Sequence, residues 1–469
     1  MRILIHGFGT YCFVFRHLLE HAAKVSPGIT WSIILPTDHH IETMAAVIPR
    51  GRIFCLEHNQ ARRSALPLEL DALTSYAGSI HADIDAEKFA FKHLPARTQL
   101  AAAIEIYTLY KAFVEKIAPT HILMAHIEGL ESKILAALAA ELGIRLLVPV
   151  NMRNLGGTFF APDAYQSLPV RATATQEACT RAEAFIRAFR EQPTSALGRN
   201  DHAEADGSIL PSFSPPLPKR AMNFVRRAAA RPDLFDREHL RTSLWRNNLW
   251  ALKATRRMRA ARAARQFDIG TLEALPKKFV YYPLHYTPEA SINVPAPFFV
   301  DQMRSIDAIR HALPHDHVLL VKEHWAAAGV RPVGFVRSLA KKSGVVVARV
   351  DLDSREIIKR ASVTISVTGS ATLEAFLFGR PALTLGPSLI SFALGGPTPI
   401  LRLAERIREA IVAPPDDATV IRKIAKLFSV QHRFMMGPPG LPGEPVMRVG
   451  NIARFLSALE TELAHQNAA

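Results

Sequence analysis

The sequence predicts an α/β protein built from two Rossmann-like, doubly wound domains. Three observations point there. Short apolar runs alternate with amphipathic, helix-length stretches over residues 3–148, the pattern of a parallel sheet covered by helices on both faces. The same alternation restarts at Lys278 and continues to residue 385. Between the two, residues 190–218 are rich in Pro, Ser, Gly and Asp and include Pro215-Pro216-Leu217-Pro218, a linker signature. At 469 residues the chain exceeds what one core ordinarily organises, so two or three domains are expected.

The elements follow in order. Residues 3–6 form an apolar strand that turns through Gly7-Phe8-Gly9-Thr10 into a helix over 11–24. That turn is not a dinucleotide fingerprint, because it lacks a third glycine and a placed ribose acid. Residues 31–35 and 52–56 read as further strands. Helical spacing over 97–117, stopped by Pro119, is followed by a strand over 121–125, a helix over 129–142 closed by Gly143, and a strand over 144–148. The second stretch gives strands over 279–282, 318–322, 345–347, 363–367 and 382–385. Helices over 298–312, 333–342, 354–360 and 371–378 separate them, and 237–265, 402–411 and 448–464 are also expected to be helical. This divides the chain into domains 1–190 and 275–430, a linker with a basic helical segment over 191–274, and a tail with a final helix over 431–469. No repeat of solenoid length is present.

An apolar fraction of 49% with 21% charged residues describes a soluble globular chain. No uncharged apolar run reaches 18 residues, so no spanning helix is expected, and the apolar start is too short for a signal peptide. Cys12, Cys55 and Cys179 are scattered and odd in number, which argues against a disulfide framework or zinc site and for the reducing cytosol. The net charge is +15, and residues 219–265 alone hold fourteen Lys/Arg against three Asp/Glu. So concentrated a surplus points to an acidic partner of that segment. Trp245 and Trp250 could stack on bases. No recognised nucleic-acid fold accompanies them, and nucleic acid is not the expected partner. Leu244, Leu249, Leu252 and Met258 suggest instead an amphipathic helix on an anionic membrane, or a solvated helix that only connects domains.

Three strand ends in the second domain carry candidate chemistry. The strand over 363–367 ends in Thr368-Gly369-Ser370 and runs straight into a helix. Gly369 would let a ligand approach the backbone, Ser370 or Thr372 could cap the helix, and the free N–H groups at its start attract phosphate. Glu374, one turn on, could accept ribose hydroxyls. An ordinary capped strand–turn–helix stays equally open. The strand over 318–322 delivers Lys322 and His324 on one face, suited to a diphosphate or simply to solvent. The strand over 279–282 leads into a Pro-stiffened loop with His285 and Glu289, suited to proton transfer, to gripping hydroxyls or to a structural role. These are the first, second and fourth strands of the domain, whose ends converge in a doubly wound sheet. In the first domain, His126 and Glu128 sit where a strand runs into a helix; Glu128 is a candidate base or nucleophile, or only a helix-dipole partner.

Taken together, residues 279–291, 322–324 and 368–381 resemble the capsular polysaccharide biosynthesis family, which includes Kdo transferases of capsule and lipopolysaccharide assembly. The resemblance covers about 275–390, with a second patch around 126–129. It implies a GT-B-like fold: two Rossmann-like, doubly wound domains facing a central cleft. The domain over 1–190 would be the acceptor side and 275–430 would bind the nucleotide sugar, with the last helix crossing back to the first domain. It implies transfer of Kdo or another acidic sugar from a CMP donor to a surface polysaccharide or lipid-linked glycan, in the cytoplasm or on the inner face of the cell membrane. In this family and in bacterial sialyltransferases a His-Pro pair meets the donor phosphate. His324 falls on that histidine, and Trp325 replaces the proline. Of the sialyltransferase acidic-pair-Gly motif only Glu128-Gly129 matches, with Ile127 at the other acid.

The implied catalytic set is Glu128, His126 and His285. The donor set is Lys322, His324, Thr368, Gly369, Ser370, Thr372, Glu374 and Glu289. No cofactor beyond the donor and no metal is expected, since cations and a helix start can do that electrostatic work. A catalytically inactive GT-B-like partner, or a protein acting through 219–265 on membrane or nucleic acid, is the alternative.

Overall fold

The computed structural model describes residues 1–59, 69–87, 95–193, 268–287, 289–324, 327, 331, 333–437 and 445–468. The basic segment 219–265, the helix expected over 237–265 and Trp325 lie outside the described residues. The chain divides into two compact units. Unit 1 comprises Met1–Arg171, Asn293–Pro297 and Val430–Ala469; unit 2 comprises Ala172–Ile292 and Phe298–Ser429.

Unit 1 is built on a six-stranded sheet of β1 (Arg2–His6), β2 (Thr30–Leu35), β3 (Ile53–Cys55), β4 (His121–Met124), β5 (Arg145–Asn151) and β6 (Thr158–Ala161). Their order is β3-β2-β1-β4-β5-β6. The first five are parallel; β6 returns antiparallel beside β5. Ile3, Leu4 and Ile5 are all buried, as expected of a central strand covered on both faces. Helix α1 (Tyr11–Val25) buries Cys12, Phe15, Leu18, Leu19 and Ala22 at helical spacing. Helix α2 (Ala96–Ile117) ends at Ala118 in the left-handed conformation, with Pro119 next in the chain. Helix α3 (Leu130–Glu141) connects β4 to β5.

Strand β6 was not anticipated. It follows a turn through Gly156 and Gly157 (φ 69° and 67°). A Cβ on Gly157 would lie 2.6 Å from the His432 carbonyl, so only glycine permits this approach of two backbones.

Unit 2 opens with helix α4 (Gln176–Glu191), which the sequence reading had grouped with residues 1–190. It packs on unit 2: Phe185 and Phe189 meet Phe428 and Phe378 at 5.7 and 5.1 Å between ring centroids. Arg190 bonds the Leu377 carbonyl and Asp417. The sheet comprises β7 (Phe279–Pro283), β8 (Val318–Lys322), β9 (Val345–Ala348), β10 (Val363–Ser366) and β11 (Ala382–Thr384). All pairs are parallel, in the order β11-β10-β7-β8-β9.

Helices α5 (Gln302–Ala312), α6 (Val333–Ala340), α7 (Ser354–Arg360) and α8 (Ser370–Leu377) lie between the strands in sequence. Helix α5 starts at Gln302 rather than at 298, because the Asp301 side chain accepts from Met303 N and caps it there. Helices α9 (Leu389–Leu394), α10 (Leu403–Val412) and α11 (Asp417–Phe428) complete the unit. The sequence reading passed over α9, which is one short apolar turn-and-a-half, and α11, whose Asp416 cap follows two prolines.

The chain ends in unit 1 with α12 (Val449–Ala468), which packs on α1. Phe455, Leu456 and Leu459 join Phe15, Leu18 and Leu19 in one core cluster, and Phe455 stacks on Phe434 at 4.7 Å. Among the described residues no helix is long and apolar enough to cross a membrane.

Candidate functional site

Each sheet has one place where the chain reverses its direction of travel across the strands. In unit 1 it lies between β1 and β4, and in unit 2 between β7 and β10. Loops at such switch points diverge and leave a crevice at the carboxyl ends of the strands, where open α/β sheets bind ligands. The candidate residues of both units gather at these two places.

In unit 2 the loops after β7, β8 and β10 come from three adjacent strands. His285 joins them. Its Nε2 accepts from Val367 N at 3.1 Å and Thr368 N at 3.5 Å, which ties the β7 loop to the β10 loop and puts the ring proton on Nδ1. Gln302 brackets the same residue from α5: it accepts from His285 N at 2.7 Å and donates to His285 O at 2.8 Å. Arg331 also donates to the His285 carbonyl. His285 is buried, and its Nε2 is committed to the loop backbone.

The close approach that Gly369 permits is made by the protein itself. A Cβ there would lie 3.2 Å from His285 Cε1 and 3.4 Å from Ser366 Oγ. Gly369 N donates to Ser366 Oγ, Thr372 Oγ1 donates back to Gly369 O, and Thr368 Oγ1 donates to Ser291 O. Thr368 and Thr372 thus hold the turn. Gly369 is the N-cap of α8, with no side-chain cap; neither Ser370 nor Thr372 takes that part. The amides that open α8 and the half-buried Ser370 hydroxyl lie at the end of this turn.

Cations line the β8 side. Buried Lys322 donates to Ser354 Oγ at 2.8 Å, and Ser354 also meets the Tyr281 hydroxyl. His324 is pushed down to about 4 by burial and then by Lys322 and Arg331, so it is a neutral imidazole between two positive charges. Arg331 pairs with Glu323 at 2.7 Å, and Glu323 accepts from His324 N at 2.8 Å. Burial raises the Glu323 carboxyl, with Arg331 opposing. Glu374 and Glu289 are half-buried, and Glu374 with Asp353 adds to the burial that raises the Tyr281 phenol.

Arg331, Gln302, Ser354 and Ser366 were missed in the sequence. Arg331 stands between Val330 and Pro332 with no strand or helix pattern to mark it, and the others announce themselves only through partners distant in the chain.

In unit 1 the loops after β1 and β4 meet. His126 Nε2 lies 2.5 Å from Glu128 Oε2, and both side chains are about a quarter exposed. The His126 ring is 5.5 Å from Phe8 and 4.9 Å from Tyr11. Glu128 N and Gly129 N both donate to Ser132 Oγ, which fixes the start of α3. Glu87 accepts from Leu130 N at 3.0 Å. The Glu131 carboxyl is pushed up to about 7 by burial, then by Glu87 and Glu128. Tyr11 is raised to about 12 by burial and Glu128. His6, fully buried, is lowered to about 3 by burial and His126.

Two Asp-X-Asp triplets escaped the sequence reading: Asp83-Ile84-Asp85 and Asp351-Leu352-Asp353. Asp83 is buried on Lys133 and Tyr76, Asp351 pairs with Arg349, and Asp353 caps α7. Among the described residues no group of three or more His, Cys, Asp or Glu could hold a metal ion.

Two Rossmann-like, doubly wound units in one chain are the domain composition that the resemblance implies for GT-B enzymes. No family model matches the chain, and no curated protein matches it. Solved structures with similarity include a Methanocaldococcus jannaschii UDP-GlcNAc 2-epimerase in complex with UDP-GlcNAc and UDP, at 10% identity over 92% of this chain and 99% of that one, TM-score 0.25. The Neisseria meningitidis UDP-GlcNAc 2-epimerase bound to UDP-GlcNAc is 12% identical over 99% and 100%, TM-score 0.24. The Thermosulfurimonas dismutans KpsC beta Kdo 2,7 transferase is 16% identical over 65% and 79%, TM-score 0.27.

Proposed function

We propose that the chain is a GT-B-type glycosyltransferase that moves a sugar from a nucleotide-sugar donor to a glycan acceptor. The donor is Kdo or another acidic sugar linked to CMP, and the acceptor is a surface polysaccharide or lipid-linked glycan. One observation carries this reading. At the carboxyl ends of β7, β8 and β10, Lys322, His324 and Arg331 stand together, and His285 bonds to Arg331 on one side and to the turn opening α8 on the other. That arrangement supports a preorganised anion site.

The roles follow from the geometry. The opening amides of α8 and Ser370 hold the donor phosphate. Lys322 and Arg331 offset the charge of the departing nucleotide and neutral His324 donates a hydrogen bond to it, work we assign to side chains rather than to a metal. Glu374 and Glu289 accept hydroxyls of the donor. His285, Thr368, Gly369 and Thr372 keep the loops in shape. In unit 1 the His126–Glu128 pair supplies the base: as the acceptor oxygen bonds to the anomeric carbon, Glu128 takes its proton, the bond from that carbon to phosphate breaks, and the nucleotide leaves with the electron pair. The basic segment 219–265 is the candidate contact with an anionic membrane that carries the acceptor.

The test is thermal unfolding of the full chain with CMP, UDP or GDP. A nucleotide at about 100 times its Kd adds about 2.7 kcal/mol of stability. We expect CMP to stabilise, and His324→Ala to abolish the shift. No stabilisation by any of the three at millimolar concentration refutes the donor site. Stabilisation without turnover favours the inactive-partner reading.

A further inference from the structure

The β1–α1 loop of unit 1 presents two aromatic rings to the His126–Glu128 pair. A Cβ on Gly7 would lie 2.7 Å from both Ile33 Cδ1 and Leu35 Cδ2, so any larger residue would have to displace these side-chain ends of β2. Gly9 then turns the chain at φ 49°. Between them Phe8 stays half-buried, its ring edge-on to His126 at 5.5 Å. Tyr11, the first residue of α1 and also half-buried, sets its ring 4.9 Å from the same imidazole. Behind Phe8, the fully buried His6 stacks on it at 6.4 Å with an interplanar angle of 17°. Neither His6 ring nitrogen has a hydrogen-bond partner among the described residues.

The surroundings are negative. Glu87 Oε2 and Glu131 Oε2 lie 3.0 and 3.2 Å from the point a Gly129 Cβ would occupy, at the start of α3 one residue past Glu128. The raised Glu131 carboxyl reports this potential, since burial, Glu87 and Glu128 all oppose its ionisation. Partly exposed aromatic side chains beside a carboxylate suit a sugar ring: the apolar C–H face packs on an aromatic ring while a hydroxyl donates to the carboxylate. A sugar that bears its own carboxylate would be repelled here, in contrast to the cationic corner of unit 2.

We propose that Phe8 and Tyr11 form the platform for the acceptor, and that the accepting residue is an uncharged, hydroxyl-bearing pyranose whose attacking hydroxyl donates to Glu128. This rests on Glu128 as the group that takes the acceptor proton. The platform selects by stacking and charge; Phe8 touches the sugar without taking part in proton transfer.

Saturation-transfer NMR on the full chain tests it, with the methyl glycosides of glucose, galactose, N-acetylglucosamine and glucuronic acid as probes. At least one neutral glycoside is expected to receive saturation at its ring C–H protons, and the glucuronide none. Phe8→Ala should raise the neutral glycoside's Kd about threefold to tenfold. Phe8→Leu keeps apolar volume without a ring and should show the same loss if Phe8→Ala does not fold. Tyr11→Phe, which retains the ring, should keep the signal. Absence of any neutral signal, tighter binding of the glucuronide, or unchanged binding in Phe8→Leu overturns the proposal. CMP, UDP and GDP titrated into the same sample separate the two readings. Nucleotide binding without glycoside binding overturns this inference alone. Glycoside binding without nucleotide binding overturns the donor site and leaves the platform standing.

Discussion

The two units share one wiring and carry opposite charge. In both, the first strand lies between the second and the fourth, so both have their switch point at the same topological position, the place where open α/β sheets bind ligands. In unit 1 Glu87, Glu128 and Glu131 cluster at the start of α3 near two aromatic rings; in unit 2 the loop after β8 bears Lys322, His324 and Arg331. Each unit also holds a neutral histidine near these strand ends, for different reasons. His6 is lowered chiefly by burial inside the sheet, whereas His324 is lowered by burial and by two neighbouring cations. In the proposed reading, topology sets where a ligand is held and the side chains at the strand ends set its charge. A negative corner suits a hydroxyl that must lose a proton, and a positive one suits a phosphate that must leave.

The sharpest way to break this contrast is Glu128→Gln. The change removes the base at unit 1 and leaves the cations of unit 2 untouched. Turnover should fall about 100-fold to 10,000-fold, with nucleotide-induced stabilisation intact. Equal turnover of purified wild type and variant would take catalysis away from unit 1.

Next in size is Arg331→Ala. The Glu323–Arg331 pair is nearly closed to solvent, at 13% and 12% side-chain exposure. Losing Arg331 leaves Glu323 buried without its partner and removes one of the two donors to the His285 carbonyl, so unit 2 should lose about 3–5 kcal/mol. Denaturant midpoints measure it. An unchanged midpoint would mean that Arg331 is held for ligand alone and does not build the loop.

The smallest effect is in pH. His6 and His324 have folded pKa values of about 3 and about 4, below the ordinary 6.5. The unfolded chain therefore binds more protons below 6.5. Stability from these two burials is complete above that pH and is lost as pH falls toward 4, by at most about 1.4 kcal/mol per pH unit for each group. His6→Phe should flatten the fall of Tm over this window by one group's share. His324→Asn should do the same in unit 2, and bound nucleotide should also flatten that share by offsetting Lys322 and Arg331. An unaltered slope in His6→Phe would show that the buried His6 is not held neutral.

Much of the architecture is legible locally. Runs such as Ile3-Leu4-Ile5 and Leu319-Leu320-Val321 mark parallel strands buried on both faces, and their ends point to Lys322, His324, Gly369 and Glu128 as chemistry-bearing positions. β6 was hidden because four residues after a Gly-Gly turn carry too little periodicity. The helix α4 was hard to assign because nothing in its own residues says whether Phe185 and Phe189 will meet unit 1 or Phe378 and Phe428. Arg331 was invisible because its meaning comes from Glu323, Thr287 and His285 together.

What the chain's sequence determined by itself is the succession of strands and helices and which strands end in polar loops, because side-chain periodicity and turn chemistry act between near neighbours. Tertiary structure alone decided that the first and fourth strands lie side by side, that His285 Nε2 accepts from the loop backbone, that Gly369 makes room for a histidine of its own chain, and that His6 and His324 are uncharged. Strand pairing and burial depend on residues tens of positions apart, and no local pattern encodes the dielectric or the neighbours that a side chain will meet once the sheet has closed around it.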